Sequence, residues 1–191
     1  TWILVSTLLS IPFLKPTRQQ LKDTLRIFGK RAPRPVFAAA IFFAIGEVMN
    51  MSGYNMAEHT FAVSSMVSTL ANASAQFFQN AYSFISAFIG LLGGFITGSE
   101  ASTIGMFGRY AITTAHTLGL TTSGMILVTA ALAFGGGLAS VISPAKLQNA
   151  AASIDKFGEE NRVIRIAFVF SIILTAITAT FTILFLWLGW V

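Results

Sequence analysis

The sequence predicts an all-α, polytopic transmembrane protein with about five to seven membrane segments, two of them discontinuous. Three observations predict this fold class. Apolar residues make up 54% of the 191 residues and charged residues 10%, the mean hydropathy is +0.74, and two glycine-rich polar segments interrupt the apolar runs. Since a soluble domain carries about a quarter charged residues, the composition excludes soluble and disordered chains.

The chain offers few residues for catalysis or metal binding. It has no cysteine and two histidines, which excludes thiolate metal sites and argues against a zinc site built on several imidazoles. The sequence motifs of serine hydrolases, zinc proteases and phosphate-binding loops are absent. We therefore predict no enzyme, no metal and no organic cofactor, with a membrane enzyme as a remote alternative.

Residues 1–14 form an apolar run that is shorter than the roughly 20 residues needed to span a bilayer. No charged segment precedes it and no small-residue cleavage site follows it, so the pattern does not predict a signal peptide. We expect the end of a truncated transmembrane helix that begins in an earlier part of a longer protein.

Residues 15–34 form a basic loop with seven cations and one acid. The positive-inside rule predicts that this loop is cytoplasmic, and we expect no nucleic acid as partner. Apolar residues recur at helical spacing at Leu21, Leu25 and Phe28. With Thr17 as N-cap and Gly29 as stop, they predict a short amphipathic helix on the inner membrane surface, in contact with lipid.

Six further apolar runs follow the basic loop. They cover residues 36–51, 55–75, 77–97, 104–118, 123–142 and 166–191. The second is rich in hydroxyl groups, so we expect it to pack against protein or line water. A charged segment, 155–165, precedes the last run, which ends with Trp187 and Trp190 at an expected interfacial belt.

Two polar segments, 93–103 and 135–144, combine neighbouring glycines with hydroxyl residues; the first adds an acid and the second a proline. Glycine and proline break helices, and in lipid such breaks are tolerated only beside protein or a cavity. Secondary transporters use half-helix N-termini at such breaks to bind anionic groups. The alternative is that the glycines serve close helix packing.

Three motifs resemble the C-terminal half of the L-lactate permease family: GGFITGSEAST at 93–103, GGGLASVISP at 135–144 and AAASIDKFGEE at 150–160. Members of that family are bacterial and archaeal symporters that move lactate and related 2-hydroxy monocarboxylates with protons. The resemblance implies that residues 35–191 are the C-terminal half of a transport domain, one repeat of an inverted-repeat secondary transporter. It also implies that the functional unit includes an N-terminal half.

The resemblance assigns Gly98, Ser99 and Glu100 to the family's glycine-serine-acid break, and Ser143 and Pro144 to its isoleucine-serine-proline element. The chain departs from the residues usual in the family at Glu100, Ala101, Ile104 and Ser140. These departures remove amide and hydroxyl groups that are usual in the family. Two alternatives therefore stay open: another organic anion as substrate, and Na⁺ as coupling ion.

The candidate substrate- and ion-binding residues are Gly98, Ser99, Glu100, Ser102, Thr103, Arg109, Ser140, Ser143 and Lys146. Glu100 is the candidate proton carrier, because an acid at membrane depth is costly and by default functional; its alternative is a structural role at the break. Arg109 suits bidentate recognition of a carboxylate, or it pairs with Glu100 or lies at the interface. Lys146 attracts the carboxylate of the substrate, or it helps to set the orientation of the chain in the membrane. The hydroxyl groups of the candidate serines and threonine bind the substrate or carbonyl groups of their own helix.

Four other titratable residues have weaker claims. His116 shares a helix face with Arg109 and is a proton relay or an interfacial residue. Glu47 serves the site or a helix contact. We expect Glu58 and His59 to be solvated.

These patterns and the resemblance together predict proton-coupled uptake of lactate or a similar small organic anion across the cytoplasmic membrane. The alternatives are a carrier of another organic anion and a non-transporting half-permease that scaffolds a partner. Expected partners are the organic anion, membrane lipid and the N-terminal half of the permease, with a homo-oligomer left open.

Overall fold

The computed structural model describes residues 2–153 and 158–189, so the predictions at Asp155, Lys156 and Trp190 lie outside the described residues. The described part is almost entirely helical, and it contains helices long and apolar enough to cross a membrane, which confirms the all-α polytopic class. These candidate spans are Arg18–Met51, Met66–Thr97, Thr122–Ala139 and Glu160–Trp187. Contacts divide the chain into units of residues 1–40 and 41–191.

The first unit holds α1 (Trp2–Leu14), α2 (Arg18–Arg31) and the start of α3 (Pro33–Met51). Thr17 caps α2 as predicted: its Oγ1 accepts a hydrogen bond from the Gln20 N–H at 3.3 Å, and Gln20 Oε1 accepts one from the Thr17 N–H at 2.8 Å. The predicted end at Gly29 is wrong, because α2 continues to Arg31. A helical glycine costs only about 1 kcal/mol, whereas Pro33 has no N–H to continue the helix.

A short hairpin follows α3, and the sequence patterns do not predict it. Its strands are β1 (Tyr54–Asn55) and β2 (Thr60–Phe61), which pair antiparallel. Two-residue strands are too short to show alternation in the sequence. The rings of Tyr54 and Phe61 lie 5.1 Å apart, and the turn leaves Glu58 and His59 exposed, as expected.

Six helices complete the second unit: α4 (Met66–Phe78), α5 (Tyr82–Thr97), α6 (Glu100–Thr117), α7 (Thr122–Ala139), α8 (Pro144–Ser153) and α9 (Glu160–Trp187). The most extensive packing is between α5 and α7, with α6 and α9 against both of them and α4 against α6. Helix α6 begins at Glu100 rather than at Ile104, because Ser99 Oγ accepts a hydrogen bond from the Ser102 N–H and caps the helix.

The neighbouring glycines of the two polar segments, Gly93–Gly94 and Gly135–Gly137, lie inside α5 and α7, so the expectation that these glycines break the helices is wrong. They lie where the two helices touch. A Cβ on Gly94 would lie 2.7 Å from Cα of Gly136, and one on Gly135 would lie 2.9 Å from the backbone N of Leu91. Close packing therefore explains these glycines. The breaks themselves fall just beyond them, at 98–99 and 140–143.

Small and polar side chains fill the rest of the helix interfaces. The Tyr110 hydroxyl donates to Ser74 Oγ at 2.9 Å, which joins α6 to α4, and its ring stands edge-on to the buried ring of Tyr82. Helix α9 buries a stripe of small residues: Ser171, Thr175, Ala179 and Thr182. This stripe lets α9 approach α5 and α7 closely.

Candidate functional site

The first break is a tight turn between α5 and α6. Gly98 ends α5 with a left-handed φ of +66°, and its N–H donates to the carbonyl of Gly94 at 2.8 Å. The Thr97 hydroxyl accepts a hydrogen bond from the Ser99 N–H at 3.1 Å. The chain thus reverses direction, since Gly93 of α5 lies against Thr103 of α6.

The second break separates α7 from α8. Residues 140–143 form a turn, and Pro144 starts α8, where its missing N–H is no loss. The buried Ser143 accepts hydrogen bonds at its carbonyl from the N–H groups of Lys146 and Leu147, both at 3.1 Å. The Lys146 Nζ donates to Ser140 Oγ at 2.7 Å, so the two sides of this break are joined.

The two breaks lie side by side. A Cβ on Gly98 would lie 2.7 Å from Ser143 Oγ and 4.0 Å from Cγ of Lys146. A cavity of about 410 Å³ opens beside them, lined by Ser99, Glu100, Ala101, Ile104, Gly137, Ser140 and Lys146. Residues of both polar segments therefore line one cavity.

The electrostatics of this cavity suit a small anion. Helix α6 begins beside it, and a helix N-terminus carries partial positive charge and unpaired N–H groups. Helix α8 adds only the partial charge of its N-terminus, because Pro144 has no N–H and the N–H groups of Lys146 and Leu147 donate to the Ser143 carbonyl. The ammonium group of Lys146 adds a full positive charge. Glu100 is the acid of the cavity lining, and its Oε2 lies 3.3 Å from the position that a Cβ on Gly137 would take. The cavity thus combines anion-binding groups with one group that can carry a proton.

Four of the predicted site residues line this cavity: Ser99, Glu100, Ser140 and Lys146. Gly98 and Ser143 form the contact between the breaks. Ser102 and Thr103 are buried, and the Thr103 hydroxyl donates to the carbonyl of Ser99 at 2.8 Å. For Thr103 the structure therefore shows the alternative in which a hydroxyl bonds its own helix.

The structure places Arg109 away from the cavity. It lies nine residues after Glu100 on α6, which places it on the opposite side of the helix and about 13 Å along the helix axis. Arg109 and His116 are both exposed, as is Glu47 on α3, and none of the three lines the cavity. A role for Arg109 in substrate contact stays a prediction.

Sequence reasoning missed the apolar side of the cavity, which is formed by Ala101, Ile104 and Gly137. A signal for two of them was present. Glu100, Ala101 and Ile104 follow the i, i+1, i+4 spacing that places residues on one helix face. Gly137 belongs to the second polar segment, but the sequence does not show that it faces the cavity, because its position depends on how α7 packs beside α6.

Two other openings of about 470 and 510 Å³ are lined almost wholly by apolar side chains. The first lies between α6 and α7 and includes Ile112 and Ile126. The second lies between α7 and α9 and includes Val163 and Phe170. Since they offer no charged group, acyl chains suit them better than an organic anion.

Comparison with known proteins finds similarity to permeases. The L-lactate permease family model matches residues 1–189. The L-lactate permease of Escherichia coli (strain K12) is 32% identical over 185 residues, which is 95% of this chain and 30% of the relative. That of Salmonella typhi is 30% identical over 182 residues, with the same shares. The glycolate permease GlcA of Escherichia coli (strain K12) is 28% identical over 150 residues, which is 78% of this chain and 24% of the relative.

The chain therefore spans about 30% of the length of the curated lactate permeases that it matches. No solved structure matches it.

Proposed function

The chain belongs to the L-lactate permease family, and from this premise we propose that it forms part of a secondary transporter that carries lactate or a related small 2-hydroxy monocarboxylate, coupled to protons. Its apolar helices fit a protein of the cell membrane. Family membership favours transport over catalysis, and the curated relatives are named for L-lactate and glycolate.

The observation that carries this proposal is the cavity at the two breaks. A carboxylate there can accept hydrogen bonds from the Lys146 ammonium and from the N–H groups of Glu100 and Ala101, which begin α6. The hydroxyls of Ser99 and Ser140 are available to a 2-hydroxyl group. The volume of about 410 Å³ leaves ample room for a small organic acid.

Coupling is proposed to depend on Glu100. When its carboxyl group is ionised, it repels an anion in the same cavity, and when it is protonated, the repulsion is removed. Binding of the anion therefore favours proton uptake by Glu100, and by linkage a proton on Glu100 favours the anion. A shift in access to the other side of the membrane then releases both.

The test is uptake of radiolabelled lactate by the permease that contains this chain, reconstituted in liposomes, at varied pH and with a protonophore. We expect uptake to rise with an inward proton gradient and to collapse with the protonophore. Uptake that ignores the gradient contradicts proton symport and favours a Na⁺-coupled carrier, and no uptake of any small monocarboxylate favours a scaffold.

The Glu100→Gln variant tests the coupling residue. We expect it to bind lactate but to lose the dependence of uptake on the proton gradient, because an amide cannot exchange the proton. Glu58→Gln, an exposed acid in the hairpin turn, is the matched control and should behave as wild type. Unchanged pH dependence in Glu100→Gln removes Glu100 from the mechanism.

A further inference from the structure

Helix α2 has a two-sided surface that no contact within the described residues covers. All of its side chains are exposed. Large apolar residues on it are Leu21, Leu25 and Phe28, which are 39%, 61% and 66% exposed, and Ile27, which is 53% exposed and lies on another side of the helix. The first three form the apolar face. They follow the i, i+4, i+7 spacing of a single helix face. Beside that face, cations recur at every fourth position: Arg18, Lys22, Arg26 and Lys30.

The cations form one continuous stripe. Residues four apart lie about 6 Å along the axis and 40° around it, so these four cations follow a shallow spiral at one flank of the apolar face. Asp23 is the one acid in the helix. The stripe therefore presents nearly uncompensated positive charge directly next to exposed apolar side chains.

We propose that α2 is a docking surface for anionic phospholipids, with the cation stripe on the headgroup phosphates and Leu21, Leu25 and Phe28 in the acyl region. Charge complementarity identifies this occupant. An anionic bilayer offers negative headgroups for the cation stripe, and directly below them an apolar layer for the exposed apolar side chains. The capping box of Thr17 and Gln20 lets α2 begin as a helix without help from tertiary contacts.

The connection to α3 allows such docking. One residue, Ala32, separates the two helices, and Pro33 and Pro35 follow it. Because proline has no N–H, the carbonyls of Gly29 and Arg31 receive no helical hydrogen bond from these positions. The connection is thus weaker than a helix interior, and α2 can change its angle to α3 when headgroups bind.

The experiment uses a single introduced cysteine, because the chain has none of its own. Thr24→Cys on α2 carries an environment-sensitive dye, and the 191-residue chain is placed in lipid nanodiscs. We expect a blue shift and quenching by lipid-borne quenchers in discs of equal phosphatidylcholine and phosphatidylglycerol, and little of either in pure phosphatidylcholine. Raising the ionic strength from about 0.1 to about 1 M should reverse the shift, because the Debye length falls from about 10 to about 3 Å.

Two variants distinguish the stripe from charge elsewhere. Replacing Arg18, Lys22, Arg26 and Lys30 by Gln should abolish the shift, whereas replacing Arg162 and Arg165, two exposed cations on α9, should leave it unchanged. Equal dye burial in both lipids, or loss of the shift on adding inorganic phosphate at constant ionic strength, overturns the proposal. Dye burial that survives in detergent without phospholipid also overturns it and points to a covering protein segment.

Discussion

Lys146 and Arg109 show how position decides between two residues of similar charge. Both are cations near the first or second break in the sequence, and both are candidates for carboxylate recognition. Lys146 lines the cavity and donates to Ser140 Oγ at 2.7 Å. Arg109 lies on the opposite face of α6 from Glu100. The geometry therefore favours Lys146 as the residue that meets the substrate.

A charge-removing pair of variants checks this assignment. Lys146→Gln should weaken apparent lactate affinity about ten- to hundredfold, because a charge-assisted hydrogen bond contributes about 1.5–3 kcal/mol. Arg109→Gln should change it little. The measurement is concentration-dependent lactate uptake or binding, with melting temperature as the folding control. A large loss in Arg109→Gln with none in Lys146→Gln would reverse the assignment.

A buried hydroxyl on α9 gives a prediction about stability. Thr175 is fully buried, and among the described residues its Oγ1 has no hydrogen-bond partner. Thr175→Val keeps the shape and removes the unsatisfied group, so it should raise the free energy of unfolding by about 1 kcal/mol. The control is Thr182→Val, because the Thr182 hydroxyl donates to the carbonyl of Thr178 at 2.9 Å. Thermal unfolding in detergent measures both, and a less stable Thr175→Val contradicts the prediction.

At the level of elements, the sequence predicts where helices exist better than where they end. The apolar runs at 77–97 and 123–142 correspond to α5 and α7. Helix ends depend on single capping side chains such as Ser99, which hydropathy does not register. Glycines carry two opposite signals: they weaken a helix, and they let two helices approach. Which effect prevails depends on the neighbouring helix, so Gly94 and Gly135 could not be assigned from sequence alone.

A single added methyl group should disrupt the contact between α5 and α7. At Gly90, a Cβ would meet the carbonyl group of Leu132 on α7, with the carbon at 2.7 Å. Gly90→Ala must push the helices apart and should cost at least about 1–3 kcal/mol. Gly29→Ala is the matched control, because a Cβ there has nothing within 4 Å, and it should be neutral or slightly stabilising. Melting temperatures of the two variants test this, and an unchanged Gly90→Ala would contradict the close packing.

At the level of the whole chain, the candidate site depends on a packing that the sequence does not specify. Each break can be recognised by its own composition, but Ser99 and Lys146 are far apart in the sequence. They line the same cavity because α5 and α7 run side by side and end together, which depends on the glycine contacts just described. Pattern reasoning thus finds the polar residues that line the cavity, whereas the lining position of Gly137 becomes visible only once the helices are packed.

The assembled cavity can be probed without any transport, since each introduced cysteine is unique in this chain. Ala101→Cys places a thiol in the cavity lining, and Ser123→Cys places one at the exposed start of α7, about 24 Å along that helix from Ala139. If lactate binds between the breaks, it should slow modification at position 101 by a methanethiosulfonate reagent and leave position 123 unaffected. Propionate, which differs from lactate only in lacking the 2-hydroxyl group, should protect less, because the hydroxyls of Ser99 and Ser140 then lose their partner. Protection at both positions would indicate a general conformational effect. A reactive thiol at 101 that lactate never protects, in the complete permease as in this chain, would mean that the substrate binds elsewhere.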